Sequence, residues 1–535
     1  MEDVFFLSDT EWSRVRSNPA FDYVVIGSGP CALAFATATT TIDPRARVLL
    51  LERGRFLLPE NLQGLDEVFA PLLGETSEVY PWEVPDDTAD ALWIRGVLPY
   101  LGGKSITWSG WCPRPSIAEL EGWPAQVVAA VEKRLGEAED FLGVIPADRI
   151  GDGPSASGPA GHVPVYGRLQ RGLQDMLVQN LDRVPTMTRA EPAHLAVGAG
   201  GAVGLFKKFA VPVPLLRLAH RQRALAAKGA GSSLSVATSC LVERIQQRSG
   251  RAVALETSRG RLPLGRARLI LAAGAIPSAE LVMRDLPMVP NAGTRLTAHF
   301  LSRLTARVPV ENFRFGAGLE PSELAALYVA GKCERSQYHV QLTAVRSQVP
   351  AQAYQALRHH APDCYAFPVR RQLLGSEEFV VFTGAAVGEV GSPNGRCRLA
   401  LAASGVRVHL ELSERDRLTW NAMDAAMFGV IERVVSDGAP GGAQYWHGGP
   451  FDGHWSSQRP SVSDRRLAGL VHEGSTLWIG PGHDDPVDLN YRLRGTDNVY
   501  VTGGALWPTA GSWNPTLTMV ALAQDLGARL ASGAG

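Results

Sequence analysis

The sequence has few cysteines, and they are not arranged in pairs. Six cysteines are scattered over 535 residues, and no Cys-x-x-Cys motif occurs among them. Cysteine-ligated zinc sites, iron–sulfur clusters and thioredoxin-like redox centres depend on closely spaced cysteines, so the sequence supports none of these classes. The histidines show no metal-binding pattern either, and we predict a protein without a bound metal ion.

Net charge and long apolar runs are also missing. The 52 Lys and Arg residues nearly balance the 53 Asp and Glu residues, so we predict neither nucleic acid nor a membrane surface as a partner. No apolar run reaches the roughly 18–20 residues that a membrane span needs. The acidic start, MEDVFFLSDTEWSRV, has no signal-peptide character, and we expect a cytoplasmic protein. The length predicts two or more domains, or one large two-lobed enzyme.

A glycine turn lies between two predicted strands near the N-terminus. Residues 22–54 read DYVVIGSGPCALAFATATTTIDPRARVLLLERG. In this strand–helix–strand pattern Gly27 makes the tight turn, Gly29 lets a pyrophosphate approach the backbone, and Ala32 replaces the usual third glycine. Glu52 is placed to accept a hydrogen bond from a ribose hydroxyl. We interpret the segment as a dinucleotide-binding fingerprint; the alternative is the same turn without a ligand.

A second glycine turn and a helix start lie near the C-terminus. Residues 498–522 predict a short buried strand, a double-glycine turn, a Pro-rich loop and a helix. Asn514 is a favourable N-cap, and Pro515 suits the first helical position because its missing N–H costs nothing there. A helix start that follows glycines is a favourable place for an anionic or electron-rich ligand.

Between the two glycine turns lies a third glycine-rich segment, residues 94–116, which carries Trp108 and Trp111. We interpret it as backbone that passes around a flat ligand; a surface loop is the alternative, although two tryptophans make full exposure unfavourable. Residues 125–142 show the periodicity of an amphipathic helix.

The rest of the middle region is dominated by strand patterns. Residues 234–245 and 252–258 predict strands, and an apolar strand beginning at residue 268 breaks at Gly274 into a helix. Residues 300–412 alternate apolar and polar positions, which predicts an antiparallel sheet with one solvated face. The fingerprint lobe is therefore predicted to be discontinuous, with the sheet inserted into it.

With these elements in place, the chain resembles the glucose–methanol–choline (GMC) flavoprotein oxidoreductases, and most closely their pyranose-oxidase-like branch. The resemblance implies an α/β (α+β) fold, in which a discontinuous Rossmann-like FAD-binding domain carries an inserted substrate-binding domain built on an antiparallel sheet. It also implies FAD as the cofactor and oxidation of an alcohol. The matching blocks follow the family's order and lie at 24–54, 101–108, 122–142, 269–282, 293–300, 471–480 and 487–523.

The resemblance also suggests domain boundaries. Three segments are predicted to form the FAD-binding domain, and two are predicted to form the substrate-binding domain. The FAD-binding segments are 1–118, 231–298 and 465–535, and the substrate-domain segments are 119–230, with helices and loops, and 299–464, with the antiparallel sheet.

The resemblance implies a catalytic pair at His472 and Asn514, which stand 42 positions apart. Oxidising an alcohol requires removal of the hydroxyl proton while hydride leaves carbon, and a neutral imidazole suits that proton transfer. An Asn amide cannot take a proton but can donate a hydrogen bond to the substrate oxygen. We therefore predict His472 as the base and Asn514 as its orienting partner; a structural histidine at 472 is the alternative. His299 matches a family block with altered neighbours, and we predict a structural role for it.

The cofactor residues are carried over from the matching blocks. Some family members attach FAD through a histidine in the glycine-rich loop, but residues 94–116 contain none and Thr107 stands at that place. We therefore predict noncovalent FAD. The predicted FAD-binding residues are Gly27, Gly29, Pro30, Ala32, Glu52, Arg53, Gly103, Ser105, Thr107, Trp108, Val242, Ala273, Gly274, Gly504, Ala505, Asn514, Pro515 and Thr516.

The substrate is predicted less sharply. The branch resemblance points to a secondary hydroxyl of a sugar, glycoside or related polyol, with Trp446, His447 and Trp513 as candidate contacts. A sterol or secondary-metabolite alcohol is an alternative, and so is a non-redox lyase that keeps FAD on the same scaffold. A flavin-binding scaffold without activity would not need both His472 and Asn514. The sequence leaves open the electron acceptor, which is oxygen, a quinone or a protein, and the oligomeric state.

Overall fold

The computed structural model describes residues 5–65, 93–94, 96–150, 165–198, 206–391, 396–403, 405–437 and 442–533. Residue 95 of the glycine-rich segment, and residues 392–395 and 404 of the predicted sheet region, lie outside this range. The helices are α1 (Asp9–Ser17), α2 (Pro30–Ile42), α3 (Ala125–Leu142), α4 (Arg168–Gln179), α5 (Pro212–Ala227), α6 (Ala275–Asp285), α7 (Pro350–His360), α8 (Glu414–Gly429), α9 (Val462–Arg465) and α10 (Thr516–Ala531).

The strands, in chain order, are β1 (Tyr23–Ile26), β2 (Val48–Leu51), β3 (Trp93–Ile94), β4 (Val144–Pro146), β5 (Met187–Pro192), β6 (His194–Ala196), β7 (Ser235–Ala237), β8 (Val242–Arg248), β9 (Arg251–Thr257), β10 (Leu262–Pro263), β11 (Arg268–Leu271), β12 (Thr297–Pro309), β13 (Ser322–Cys333), β14 (Ser336–Ser347), β15 (Phe379–Val390), β16 (Arg398–Ala402), β17 (Gly405–His409), β18 (Gln444–His447), β19 (His454–Ser456), β20 (Arg466–Gly474) and β21 (Val499–Val501).

Five strands form a parallel sheet in the order β21-β11-β1-β2-β7. Strands β1 and β2 read YVVI and VLLL and are buried throughout, which is typical of a parallel sheet covered on both faces. Helix α2 connects β1 to β2, and α10 packs against α2 and α3. The two ends and the middle of the chain thus build one Rossmann-like lobe, which confirms the predicted discontinuous fold.

A nine-stranded sheet forms the second layer. Its main path is β19-β18-β12-β15-β14-β13-β5, with β20 beside β12 and β3 beside β20. Helix α8 packs on β13, β14 and β15, and its Trp420 stacks on Phe300 of β12 at 4.6 Å between ring centroids. All 12 residues of β14 are buried. The prediction of one solvated face is therefore wrong for β14: α8 covers one face of the sheet there, and residues 511–514 cover the other.

The predicted strand 234–245 is two strands in two sheets. The backbone turns at Ser239, whose φ is 49°, and β7 joins the parallel sheet while β8 pairs with β9 in a three-stranded antiparallel sheet with β10. None of the helices among the described residues is both long and apolar enough to cross a membrane.

The predicted domain boundaries stay predictions, but two contacts cross them. Helix α3, placed in the substrate domain, packs against α10 of the Rossmann-like lobe. Strand β20, placed in the FAD-binding domain, pairs with β12 in the antiparallel sheet. Both contacts lie at segments where the predicted domains meet in the sequence.

Candidate active site

The first glycine turn brings β1 and β11 into close contact at the end of the parallel sheet. Gly27 has a φ of 104°, and a Cβ atom on it would lie 2.5 Å from the carbonyl oxygen of Ala272. Only glycine fits there, because both the backbone conformation and the space exclude a side chain. Ala273 and Gly274, predicted to contact the cofactor, follow directly and lead into α6.

The next glycine borders open space instead. Gly29 is the N-cap of α2 and has no side-chain capping bond, and a Cβ atom on it would meet nothing within 4 Å. Gly103 and Gly503 approach from the other two glycine turns, since their Cβ positions lie 4.0 Å from Gly29 Cα and 3.7 Å from Cys31 Sγ. Free N–H groups of the first helical turn therefore face a groove lined by glycine, which suits a pyrophosphate.

Glu52 lies at the end of β2, as predicted, but the protein already supplies hydrogen bonds to it. Ser28 Oγ donates to one carboxylate oxygen, and the Gly54 N–H donates to the other at 2.7 Å. The Gly102 N–H in turn donates to Ser28 Oγ at 2.9 Å. Burial raises the pKa of the Glu52 carboxyl to about 7. Val242, also predicted to contact the cofactor, follows two residues after Cys240, whose N–H donates to the Glu52 carbonyl oxygen.

The glycine-rich segment is held by two side chains that were not predicted. Asn61 Nδ2 donates to the carbonyl oxygens of Ser105 and Trp108 at 3.2 and 3.0 Å, and Gln63 Nε2 donates to that of Thr107 at 2.8 Å. The Ser105 hydroxyl is itself occupied, since it donates to the Gly102 carbonyl oxygen at 2.7 Å. The segment is thus a fixed wall beside Gly29 rather than a surface loop.

The turn after β21 lies beside the end of β20. The Ser475 and Leu477 N–H groups donate to the carbonyl oxygens of Gly504 and Ala505 at 3.0 and 2.9 Å. A Cβ atom on Gly504 would lie 3.0 Å from the Glu473 carbonyl oxygen. This turn therefore connects the glycine-lined groove to the segment that carries His472.

The helix start differs from the sequence-based expectation. Helix α10 begins at Thr516 with Pro515 in the N-cap position, and no side chain caps it. The Asn514 side chain does not act as an N-cap because its Oδ1 accepts a hydrogen bond from Gln341 Nε2 at 2.9 Å. The first N–H groups of α10 are consequently left without a side-chain acceptor, in the position predicted to face a ligand.

His472 lies on an irregular part of β20. Its φ is 62°, a left-handed conformation that costs a residue with a side chain about 1–3 kcal/mol. The register of β20 against β12 shifts on both sides of His299, and such bulges redirect side chains. The His472 ring consequently meets His299, with 2.8 Å between the two Nδ1 atoms, and His299 Nε2 lies 2.8 Å from the Gly511 carbonyl oxygen.

A second group of polar side chains lies on the same face of the sheet. His339 and Gln341 are two residues apart on β14 and are fully and almost fully buried. Gln341 Nε2 lies 3.1 Å from His339 Nε2 and also donates to Asn514. The Tyr328 ring, on β13, stacks on His339 at 4.6 Å. His472 and Asn514 are thus linked to neighbouring positions on one sheet face, and Gly511 lies only three residues before Asn514.

The histidines of this cluster are held neutral. Burial lowers the pKa of His299 to about 4 and that of His339 to about 3. Burial, His299, His339 and Lys104 together hold the pKa of His472 well below its usual value. Lys104 forms an ion pair with Glu473, next to His472. His472 is the least buried of the three residues, and we therefore take it as the one that can meet a ligand in its base form.

Two of the three predicted substrate contacts lie away from this cluster. Trp446 and His447 are on β18, which pairs with β12 at Ala306 and Arg307, about 20 Å along the strand from His299. Trp513 is completely buried, and its ring lies about 6 Å from those of Trp123 and Trp507. The substrate role predicted for these three residues stays a prediction, and Trp513, next to Asn514 in the chain, is packed among other tryptophans.

Two residues of the polar cluster, His339 and Gln341, were not predicted as site residues, although the sequence pattern around them was noticed. They occupy alternate positions of YHVQLTAV, and that alternation was interpreted as a solvated face. Polar residues on alternate positions also occur where a sheet face lines a polar site. The positive φ at His472 and its contact with His299 had no sequence signal.

Comparison with known proteins bears on the family and on the fold. A sequence model described as GMC oxidoreductase matches residues 393–523, a span that contains both His472 and Asn514. No curated protein matches the sequence. The structure is similar to the crystal structure of pyridoxine 4-oxidase from Mesorbium loti, with a TM-score of 0.57 and 17% sequence identity over 96% of this chain and 99% of that chain. At this identity the likeness shows a shared fold.

Proposed function

We propose that this chain is a FAD-dependent oxidoreductase of the GMC type that oxidises an alcohol, with His472 as the base and Asn514 as the group that orients the substrate oxygen. One observation carries the proposal: the neutral imidazole of His472 and the positioned carboxamide of Asn514 are linked to one sheet face, at the end of a glycine-lined groove. The family match over residues 393–523 supports it, because that match contains both residues.

The residues that line the groove have the chemistry expected of an FAD-binding site. Gly29 leaves open space where a diphosphate approaches the N-terminus of α2, and the carboxylate of Glu52 lies at the end of β2 where a ribose is expected. Gly103, Gly504 and the start of α10 would then border the ring system. We propose noncovalent binding, because no histidine occurs in residues 94–116.

When bound, the flavin supplies the hydride acceptor. The protein's part is to remove the hydroxyl proton and to hold the carbinol carbon in line. His472 is suited to the first task, because its lowered pKa keeps it unprotonated at neutral pH. Asn514 is suited to the second task, because its Oδ1 is already bonded to Gln341 and its Nδ2 is left to donate.

The substrate that we propose is a small polar alcohol, with a secondary hydroxyl of a sugar, glycoside or polyol as the first candidate. This choice rests on the resemblance to the pyranose-oxidase-like branch. A primary alcohol on an aromatic ring is the second candidate, because the structural neighbour is described as a pyridoxine 4-oxidase. Both classes place a hydroxyl-bearing carbon beside polar groups.

An anaerobic substrate panel tests the proposal. The purified yellow protein is mixed without oxygen with sugars, glycosides, polyols, pyridoxine and a sterol, and the flavin absorbance is followed. Bleaching by one alcohol, with formation of the matching carbonyl compound, is the expected result. Substrate conversion with unchanged flavin absorbance would instead indicate a lyase, and a colourless protein that takes up no FAD would refute the proposal.

A further inference from the structure

His299 connects the proposed base to the backbone. One ring nitrogen, Nε2, lies 2.8 Å from the Gly511 carbonyl oxygen, and the other, Nδ1, lies 2.8 Å from Nδ1 of His472. The His299 residue is completely buried, whereas His472 as a residue is partly exposed. The two ring planes are nearly perpendicular, at 84°, as expected when one ring donates in its own plane toward the other.

These two contacts determine where each proton resides. A carbonyl oxygen can only accept, so His299 must carry its proton on Nε2. A neutral imidazole has one proton, so His299 Nδ1 has a lone pair and must accept from His472. His472 therefore carries its proton on Nδ1, and its Nε2 is left with the lone pair.

We propose that His299 is a positioning residue that fixes the tautomer of His472, so that a proton-accepting Nε2 faces the substrate hydroxyl. The inference rests on the proposed function and assigns to His299 a role in it, where the sequence alone predicted a structural role. Among the described residues, His472 Nε2 has no protein hydrogen-bond partner, which leaves it available to an alcohol. Without His299, the opposite tautomer would present an N–H, which cannot take the proton.

The same contacts exclude a role for His299 as a proton relay. Its Nε2–H ends on the Gly511 carbonyl oxygen, which cannot accept and pass on a proton, so His299 is not a proton relay. After proton uptake at Nε2, the His472 imidazolium still donates from Nδ1 to His299, now as a stronger charge-assisted bond. The proton therefore leaves from Nε2, on the side where it arrived.

Two near-isosteric substitutions separate this role from simple packing. In His299→Asn the side-chain oxygen replaces Nδ1 and keeps an acceptor for His472, but the contact with Gly511 is lost. In His299→Gln the terminal amide reaches toward Gly511, but no acceptor remains beside His472. Both variants remove the ring, so a purely structural role predicts similar losses in both.

The measurement is the anaerobic rate of flavin bleaching by the identified alcohol. We expect His299→Asn to stay within about 10-fold of the unmodified protein and His299→Gln to fall by about 10²-fold, within the usual range for losing a general base. FAD content and thermal unfolding temperature are measured for each variant, so that a folding defect is recognised. Equal rates for the Asn and Gln variants would overturn the proposal.

A second measurement does not depend on activity. In protein labelled with ¹⁵N-histidine, the ring nitrogens of His472 are identified by their loss in His472→Asn. We expect a protonated Nδ1 and an unprotonated Nε2 in the FAD-loaded protein, and the reverse or a mixture in His299→Gln. A protonated Nε2 in the unmodified protein would refute the inference even if an alcohol bleaches the flavin. The expected spectrum without bleaching by any alcohol would instead refute the proposed function.

Discussion

Gln341 donates a hydrogen bond from Nε2 to Asn514 Oδ1 at 2.9 Å. This bond joins strand β14 to the residues that precede α10, and it decides which end of the Asn514 amide is free. Because the oxygen is occupied, the amide nitrogen is directed away from Gln341. His339 accepts from the same Gln341 nitrogen at 3.1 Å, so both hydrogens of that nitrogen are used.

Replacing Gln341 should therefore disturb substrate orientation. In Gln341→Glu the side chain can only accept at neutral pH, so Asn514 must rotate and present its oxygen to the substrate. We expect kcat/KM to fall by about 10²-fold in Gln341→Glu. The fall should be smaller in Gln341→Leu, because the Asn514 amide can then adopt either orientation. Steady-state kinetics with matched FAD content measures the effect, and an unchanged kcat/KM in the Glu variant would contradict it.

Replacing His472 tests the base directly. Asn is the suitable substitute, because it tolerates the left-handed backbone found at this position and cannot take a proton. We expect the rate of flavin bleaching to fall by about 10²–10⁴-fold while FAD content is unchanged. Stopped-flow reduction measures the rate, and a loss below 10-fold would point to another base.

The pH dependence of flavin reduction should lack a step near the usual histidine pKa. Burial, His299, His339 and Lys104 lower the pKa of His472 well below 6.5, and a base is active above its pKa. The rate should therefore be level from about pH 6 to 8 and fall only at lower pH. Stopped-flow measurement of the flavin reduction rate across this pH range checks the prediction. A rate that falls toward low pH with a midpoint at about pH 6.5 would contradict it.

Gly29 offers a test of cofactor binding that spares the fold. A Cβ atom there would meet no protein atom within 4 Å, so we expect Gly29→Val to fold but to fill the space proposed for the diphosphate. We expect FAD binding to be lost, with the far-UV circular dichroism spectrum unchanged. Gly136→Val is the control, because Gly136 also has no atom within 4 Å of its Cβ position but lies on α3, away from the groove. FAD retained by Gly29→Val would place the diphosphate elsewhere.

The absence of histidine from residues 94–116 predicts that FAD is released by acid. After precipitation of the yellow protein with trichloroacetic acid, the colour should stay in the supernatant. Colour that remains in the washed pellet would show a covalent link through some other residue.

The parts of the fold with strong local signals were predictable from the sequence. The apolar runs of β1 and β2, the periodicity of α3 and the break at Gly274 all depend on neighbouring residues, and each was found where predicted. The split of residues 234–245 into two strands was missed, because it depends on which sheet each half joins. That choice is made by distant partners, here β2 and β9.

The candidate site shows the same limit. His472 and Asn514 could be proposed from a family resemblance, because each lies in a short matching block. Their partners could not, because His299, His339 and Gln341 reach them only through the pairing of β12, β14 and β20. The alternating polarity around Gln341 correctly predicts a strand. Its polar positions face a polar site, however, and not solvent as predicted. The one-residue shift of α10 follows likewise from the engagement of Asn514 by Gln341.

The bond from His299 to the Gly511 carbonyl and the bond from Gln341 to Asn514 both fasten the antiparallel sheet to the loop before α10. Any hinge opening between the two lobes would pull these bonds apart and dismantle the catalytic geometry at each turnover. On the proposed function, we therefore expect substrate to reach the flavin while these two bonds stay intact, and the space left beside them to limit the size of the substrate.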